Sequence, residues 1–548
     1  MQNVTIKLHS TGYLYYSGMT GGFGLELKRK VDTLTFSLDG FQKQKVVADA
    51  ASYLNVSLKR LPKGNASRFK LASFTENLKR ETQQQWFLGD ETYASIIENQ
   101  FINTSIYPST GITLSVDRAS YSNIRRFLNM NTYVPSDAVR IEEMLNYFNF
   151  NYTEPANKKT FEITSYLTQC PWNSANQLLF ANIKSKRISL DTLPPTHLVF
   201  LIDVSGSMDM PNRLPLLKAS FRGLVNNLRE KDSVSIVVYG GTVGVILDAT
   251  SGGEKEKIFN VSDSLSPGGT TPGESGVKLA YSVARNHFIK KGNNRVILAT
   301  DGDFNVGVRS EEELEKMIED QARSGVYLTC LGVGMGNYKD SKIQALAQKG
   351  NGNFAYLDSY AEAEKVLLQE FMQTLYTVAD DAYLSMQFNP AYVKEYRIIG
   401  FDNKMGAIKD TLANIEGGDI GPAYSTLVAV EIIPAKPEAA KLNSLQQPVK
   451  FSLEYKLPHT QRILQEELHP YIKLTPLPQL DKCYQFAASV IMFGSLLRES
   501  KFFKSASWNE IMELAKVSAN QENPSQREFI NLVQQAKTIY SRKRKKGD

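Results

Sequence analysis

Apolar and polar positions alternate with a period of two over the first sixty residues, in VTIKL, GYLYYSGM, GGFGLEL, DTLTFSLDGF and SYLNVSLKRL, with Gly and Asp turns between them. That pattern predicts a small β-sandwich over residues 1–62. Residues 63–112 are polar and predict a linker with at most one helix. Over 113–195 two helical stretches, TLSVDRASYSNIRRFLNMN and VPSDAVRIEEMLNYFNF, precede strand alternation in FEITSYLTQ and NQLLFANIKSK. Ser136 or Asp137 is placed to cap the second helix, whose apolar side carries Val139, Met144, Tyr147 and Phe148.

Across 196–376 short apolar runs alternate with amphipathic ones. HLVFLID, SVSIVVYG, RVILATDG, GVYLTCLGVG and GNFAYLD predict parallel strands covered on both faces, with helices near 212–229, 274–290, 310–323 and 360–376. Strand patterning returns over 377–460, and 461–548 reads as helical with SVIMFGSLL and INLVQQAKTIY as apolar faces. The fold class is therefore multidomain α/β plus β. Termini of α/β units lie close together, so strands on both flanks predict a Rossmann-like, doubly wound unit inserted in a β-sandwich.

Length and composition narrow the function. At ~100–200 residues per domain, 548 residues predict roughly three to five domains. Hydrophobic residues at 42% and charged residues at 22% exclude a disordered chain. No apolar run approaches the ~20 residues of a membrane-spanning helix. Cys170, Cys330 and Cys483 are too scattered for a disulfide framework or a cysteine-rich zinc site, and five histidines argue against a multi-histidine centre. Of the net charge of +6, five charges sit in Arg542-Lys543-Arg544-Lys545-Lys546, leaving +1 for the body. That tail reads as a solvated helix end, and the near-neutral body speaks against nucleic acid as a partner. The first residues enter a strand with no apolar leader, and the expectation is that the true start, with an export signal, lies upstream.

The strongest chemical signal is Asp203-Val204-Ser205-Gly206-Ser207, directly after HLVFLI. Oxygen-bearing side chains at alternate positions of a loop leaving a strand can converge, and such loops lie where open α/β sheets bind ligands. One carboxylate with two hydroxyls suits a hard cation such as Mg²⁺. Alone the pattern also describes a serine-rich capped turn. Two further loops follow it, Gly268-Gly269-Thr270-Thr271-Pro272-Gly273 and, after RVILA, Thr300-Asp301-Gly302.

Strand, Asp-x-Ser-x-Ser, Gly-Gly-Thr loop and strand-Thr-Asp-Gly, in this order, resemble a von Willebrand factor type A domain with a metal-ion-dependent adhesion site. The resemblance spans 196–376 and implies that Asp203, Ser205, Ser207, Thr271 and Asp301 hold the metal, with Thr270 the alternative to Thr271. It implies Mg²⁺, with Mn²⁺ or Ca²⁺ as alternatives, and a protein partner whose carboxylate completes the coordination. It also implies that binding couples to a shift of the helix at 360–376.

A wider resemblance surrounds this domain. Val116 to Leu128, Asp137 to Phe148, Cys170-Pro171-Trp172-Asn173, Ala299 to Gly307 and Gly417 to Gly421 are similar to the bacterial YfbK family, over roughly 113–540. Arg118 stands where that family's pattern has Thr. The order of turns and strands through Phe41-Gln42-Lys43 is similar to a carboxypeptidase regulatory-like domain. Together these imply a bacterial cell-envelope protein, periplasmic or extracellular, that is not an enzyme and binds an acidic partner residue through its metal. A metal-stabilised scaffold, an accessory subunit of a partner ATPase and a metal-assisted hydrolase using Asp301 and Asp303 are the alternatives. Gly332-Val333-Gly334 lacks dinucleotide-binding spacing. Asp117, Arg125 and Arg126 read as a capped helix with a solvated face, and Trp172, Cys170, Cys330 and His197 as structural.

Overall fold

The computed structural model describes the chain apart from residues 1–3, 12–13, 19–20, 26, 28, 39–40, 60–90, 92, 151–153, 157–158, 189–192, 270–272, 303–310, 335–339, 371–372, 374–375, 403–417, 436–446, 459, 461, 469, 471, 504–505 and 545–548. Two compact units form, Met1–Phe69 and Lys70–Asp548. In the first, β1 (Thr5–Leu8), β2 (Leu14–Tyr16), β3 (Val31–Ser37) and β4 (Gln44–Asp49) make an antiparallel sheet ordered β2-β1-β3-β4. Period-two alternation buries Ile6, Leu8, Leu34 and Phe36 on one face.

Among the described residues this unit holds that single sheet, not two facing ones. GGFGLEL and SYLNVSLKRL form no strand in their described parts, although Phe23, Leu25, Leu54 and Val56 still pack on the sheet. Alternation alone buries one face of an extended segment without a ladder, and Gly21, Gly22 and Gly24 offer no side chain to pair across one.

The larger unit begins with β5 (Ile102–Asn103), β6 (Ser109–Thr113), α1 (Ala119–Asn129), α2 (Ile141–Asn146), β7 (Phe161–Gln169) and β8 (Gln177–Ser185). There follow β9 (Thr196–Asp203), α3 (Leu214–Asn226), β10 (Ser233–Tyr239), β11 (Gly244–Ser251), α4 (Lys255–Ser264) and α5 (Gly273–Asn286). Next come β12 (Asn293–Thr300), α6 (Glu311–Arg323), β13 (Val326–Val333), α7 (Asp340–Lys349), β14 (Phe354–Leu357) and α8 (Tyr360–Glu364). The chain closes with β15 (Ala379–Phe388), β16 (Val393–Ile399), β17 (Gly418–Ile420), β18 (Ser425–Pro434), β19 (Val449–Lys456), β20 (Ile463–Leu468) and helices Lys482–Leu497, Trp508–Ser518 and Pro524–Arg544.

The segment from β9 to α8 builds a six-stranded sheet ordered β11-β10-β9-β12-β13-β14, parallel except for the antiparallel edge strand β11. Leu198, Phe200 and Ile202 of β9 face one helical layer with Leu217, Phe221 and Ile258. Val199 and Leu201 face the other, with Val277, Ala280 and Ile343. Burial on both faces explains the uninterrupted apolar run in HLVFLI. β11, α4 and α7 were not legible in the pattern. β11 pairs on one side only and half of its residues are exposed, so they need not alternate.

Two more sheets stack around a second core. One is ordered β17-β15-β19-β20 with β6 also on β15, and the other β5-β16-β18-β8-β7. β8, before the α/β segment, pairs antiparallel with β18, after it. Leu179, Ala181 and Val430 face Leu384, Phe451 and Leu453 of the opposite sheet. The outer face of the same strands, through Leu178, Phe180 and Ala429, carries α1, α2 and the C-terminal helices.

Several expectations need correction. The stretch 63–112 is not simply a linker, because β5 and β6 pair with β16 and β15 and buried Asn99 donates to the carbonyls of Ile398 and Gly400. Residues 461–548 open with β20, an edge strand whose ILQEEL alternation half-buries one side. Neither Ser136 nor Asp137 caps α2, since Ser136–Ala138 is a separate 3₁₀ turn and Asp137 Oδ1 accepts from Ile96 N at 3.0 Å. The helix expected over 360–376 is α8 followed by a π-turn at Lys365–Gln369. Arg125 and Arg126 are buried, Arg125 held by Asp358 and Glu362 and Arg126 by Glu91.

Candidate metal centre

The order β11-β10-β9-β12-β13-β14 places the topological switch between β9 and β12, whose connections leave in opposite directions. In open α/β sheets ligands bind at this point, outside the carboxyl ends of the strands. Asp203 is the last residue of β9 and Asp301 the first after β12.

Asp203 is fully buried, and its Oδ1 accepts Ser205 N at 2.8 Å while Oδ2 accepts Thr300 Oγ1 at 3.3 Å. Burial pushes its carboxyl up to about 6, nearby Asp301 adds to the rise, and hydrogen bonds from Ser205 and Tyr239 oppose it. The loop then turns through a 3₁₀ segment, Gly206–Asp209, anchored by buried Met208. Ser205 is buried and Ser207 exposed, with their Oγ atoms 3.1 Å apart.

Backbone contacts hold this loop to the next two. Val204 N donates to Tyr239 O at 2.8 Å, Gly268 N to Val204 O at 2.7 Å and Gly206 N to Gly269 O at 3.3 Å. Gly240 lies so close that a Cβ there would overlap Ser205 N, and its φ of +133° is one that only glycine adopts readily. Arg213, just before α3, was not singled out from the sequence. Its Nη1 donates to Asp301 Oδ2 and to Ser207 O, each at 2.6 Å. The signal was a basic residue six positions beyond Ser207, indistinguishable in the sequence from a helix-flanking charge.

The structure thus brings Asp203, Ser205, Ser207 and Asp301 together at the carboxyl ends of β9 and β12. Thr271, with its alternative Thr270, lies outside the described residues, as does Asp303. The donor set fits an octahedral cation. At metal–oxygen distances of ~2.0–2.1 Å, adjacent ligands stand about 3 Å apart, close to the 3.1 Å between the two serine hydroxyls. Among the described residues no group of three or more His, Cys, Asp and Glu forms a metal cluster. The oxygens gathered here are two serine hydroxyls and two carboxylates, a hard donor set.

His197 sits at the opposite end of β9, its Nε2 3.0 Å from Ser235 Oγ and its ring edge-on to His287. Cys170, Cys330 and Trp172 are buried. No helix among the described residues is long and apolar enough to cross a membrane.

Fold and loops together define a von Willebrand factor type A domain, and the family model of that description matches residues 197–373. Models described as the C-terminal part of uncharacterized protein YfbK and as von Willebrand factor match 373–539 and 88–180. The chain is 36% identical over 472 residues to uncharacterized protein YfbK of Escherichia coli (strain K12), covering 82% of this chain and 81% of that protein. It belongs to the YfbK family. Over shorter spans it is 26% identical to human inter-alpha-trypsin inhibitor heavy chain H3, covering 31% of this chain and 20% of that one. It is 28% identical to the magnesium-chelatase 67 kDa subunit of Chlorobaculum tepidum, covering 31% of this chain and 30% of that one.

Proposed function

We propose that this chain is a divalent-metal-dependent protein-binding module and not an enzyme. Asp203, Ser205, Ser207 and Asp301, with Thr271, would hold Mg²⁺, or Mn²⁺ or Ca²⁺ in its place. A bound ion would supply an electrophilic centre open to a carboxylate from a partner protein. The observation that carries this reading is the pairing of buried Ser205 with exposed Ser207 above two buried carboxylates. The neutral hydroxyls take up none of the ion's charge, and exposure at Ser207 gives a partner access. The protein's own residues orient the loop: Asp203 fixes it through Ser205 N, and Arg213 through Ser207 O.

The test is metal-dependent capture of acidic peptides by the full chain. Retention on immobilised Asp/Glu peptides in Mn²⁺, lost in chelator and in Ser205→Ala, supports the reading. Equal retention in chelator contradicts it. The relative named as a magnesium-chelatase subunit supports a second reading of the same site, in which the partner belongs to an enzyme complex. We place the module in the cell envelope and read its N-terminal sheet as a carboxypeptidase regulatory-like unit. Fractionation of cells expressing the full-length gene tests the first, and a structure of the isolated N-terminal unit the second.

A further inference from the structure

We propose that Arg213 is the built-in counter-cation of the metal centre, weakening the hold on the divalent ion so that the loaded site carries a positive charge for its partner. This inference rests on the metal-binding reading above and assigns a positioning role to a residue outside the five-residue motif. Arg213 and Asp301 are 8% and 4% exposed, so little water screens their pairing. One nitrogen, Nη1, meets both the third-loop carboxylate and the carbonyl of Ser207 in the first loop. The guanidinium therefore joins two of the loops that carry the proposed site.

The surroundings are shaped to seat it. Gly334, at the carboxyl end of β13, has φ +79°, and a Cβ there would overlap the Arg213 side chain. The Gly334 carbonyl accepts from Tyr356 Oη, and the Tyr356 ring lies under the guanidinium of Arg126, 5.2 Å away. A glycine thus makes room for the arginine and is itself held from behind.

The charge balance gives this placement a consequence. With both carboxylates ionised, Asp203, Asp301 and Arg213 sum to one negative charge. A divalent ion makes the site singly positive, which one partner carboxylate would neutralise. Without Arg213 the two carboxylates alone would neutralise the ion, binding it more tightly and leaving less attraction for an acidic partner. A purely structural ion pair predicts no such gain. Its loss would leave Asp301 buried without its cation and would weaken the whole site.

The test is calorimetric titration of Mn²⁺ into the full chain as wild type, Arg213→Gln and Arg213→Lys. Arg213→Gln is expected to bind Mn²⁺ roughly tenfold more tightly or better, while melting lower than wild type in chelator. Arg213→Lys keeps the charge and is expected to stay within about threefold of wild type. Wild-type binding with no tightening in Arg213→Gln, or equal tightening in Arg213→Lys, overturns the inference alone. No Mn²⁺ binding by any of the three overturns the metal reading and the inference with it. Should Arg213→Gln fail to fold, the Arg213 Nε–H resonance of the wild type decides. It is expected to move on saturation with Mg²⁺, and an unmoved resonance overturns the proposal.

Discussion

Arg125 of α1 donates through Nη2 to Glu362 of α8 at 2.7 Å, tying the last helix of the α/β domain to the segment that precedes that domain. The same guanidinium reaches Asp358, Glu528 of the C-terminal helix at 2.9 Å and Tyr147 Oη at 3.2 Å. A second tie joins Arg118 to Glu370, and Lys365 lies 3.4 Å from both Glu370 and the centre of the Tyr147 ring. The π-turn at Lys365–Gln369 falls between these anchors. One buried cation therefore organises three stretches of chain that are far apart in sequence.

Arg125→Met should be strongly destabilising, because it leaves Asp358 and Glu362 buried without their cation. Breaking one side of a buried network of this kind costs about 3–5 kcal/mol. Urea unfolding measures the loss, and hydrogen exchange should show it first in Tyr360–Gln369. A change under about 0.5 kcal/mol, typical of surface positions, would show that the network does not hold the helix.

Ser207→Ala should leave the metal-free protein nearly unchanged, within about 0.5 kcal/mol, since Ser207 is exposed. Its effect should appear only with metal, as a reduced rise in midpoint on adding Mg²⁺. An equal rise in wild type and variant would remove Ser207 from the site.

Gly334→Ala tests the path of Arg213. The positive φ and the overlap with the Arg213 side chain both oppose a Cβ, and a strained non-glycine residue costs of order 1–3 kcal/mol. Thermal unfolding should place this variant below wild type in chelator. Equal midpoints would mean that Arg213 has room to move aside.

Acidity should loosen the fold through His197. Burial, with His287 beside it, holds this imidazole down to about 4 against an ordinary 6.5. The unfolded chain therefore binds the proton first as pH falls, so the stability is present above about 6.5 and lost towards 4. At about 1.4 kcal/mol per pH interval of one, the loss reaches at most roughly 3 kcal/mol. Asp419 works in the opposite sense. Burial and Asp380 raise it from an ordinary 3.8 to about 7, so the unfolded chain loses its proton first and the penalty builds as pH rises from about 4, reaching its full size above about 7. His197→Gln should flatten the acid side of the stability–pH curve, and Asp419→Asn should raise stability at pH 8. Unaltered curves would contradict both assignments.

What the sequence disclosed follows from where each signal is local. HLVFLI followed by Asp203, Ser205 and Ser207 reads directly, because a strand buried on both faces is uniformly apolar and its loop residues are consecutive. Arg125 and Arg126 read as a solvated helix face, and Arg213 carries no signal of its own. Their partners are Asp301, Asp358, Glu362, Glu528 and Glu91, and only folding brings those carboxylates alongside. An arginine buried among them has the same local pattern as one on a solvated helix face. The strands at Ile102–Asn103 and Ser109–Thr113 were likewise hidden, since two to five residues around Tyr107-Pro108 show too little alternation to separate from a linker.

Asp203, the serines and Asp301 are proposed to form a working divalent-cation site. Thermal unfolding of wild type and Asp203→Ala, in chelator and then in Mg²⁺, tests it most directly. At about 10–100 times the dissociation constant, linkage gives roughly 1.4–2.7 kcal/mol, or several degrees at about 2–4 °C per kcal/mol. That rise is expected in wild type, and none in Asp203→Ala. A wild type whose midpoint ignores Mg²⁺, or a variant that gains as much as wild type, would contradict it.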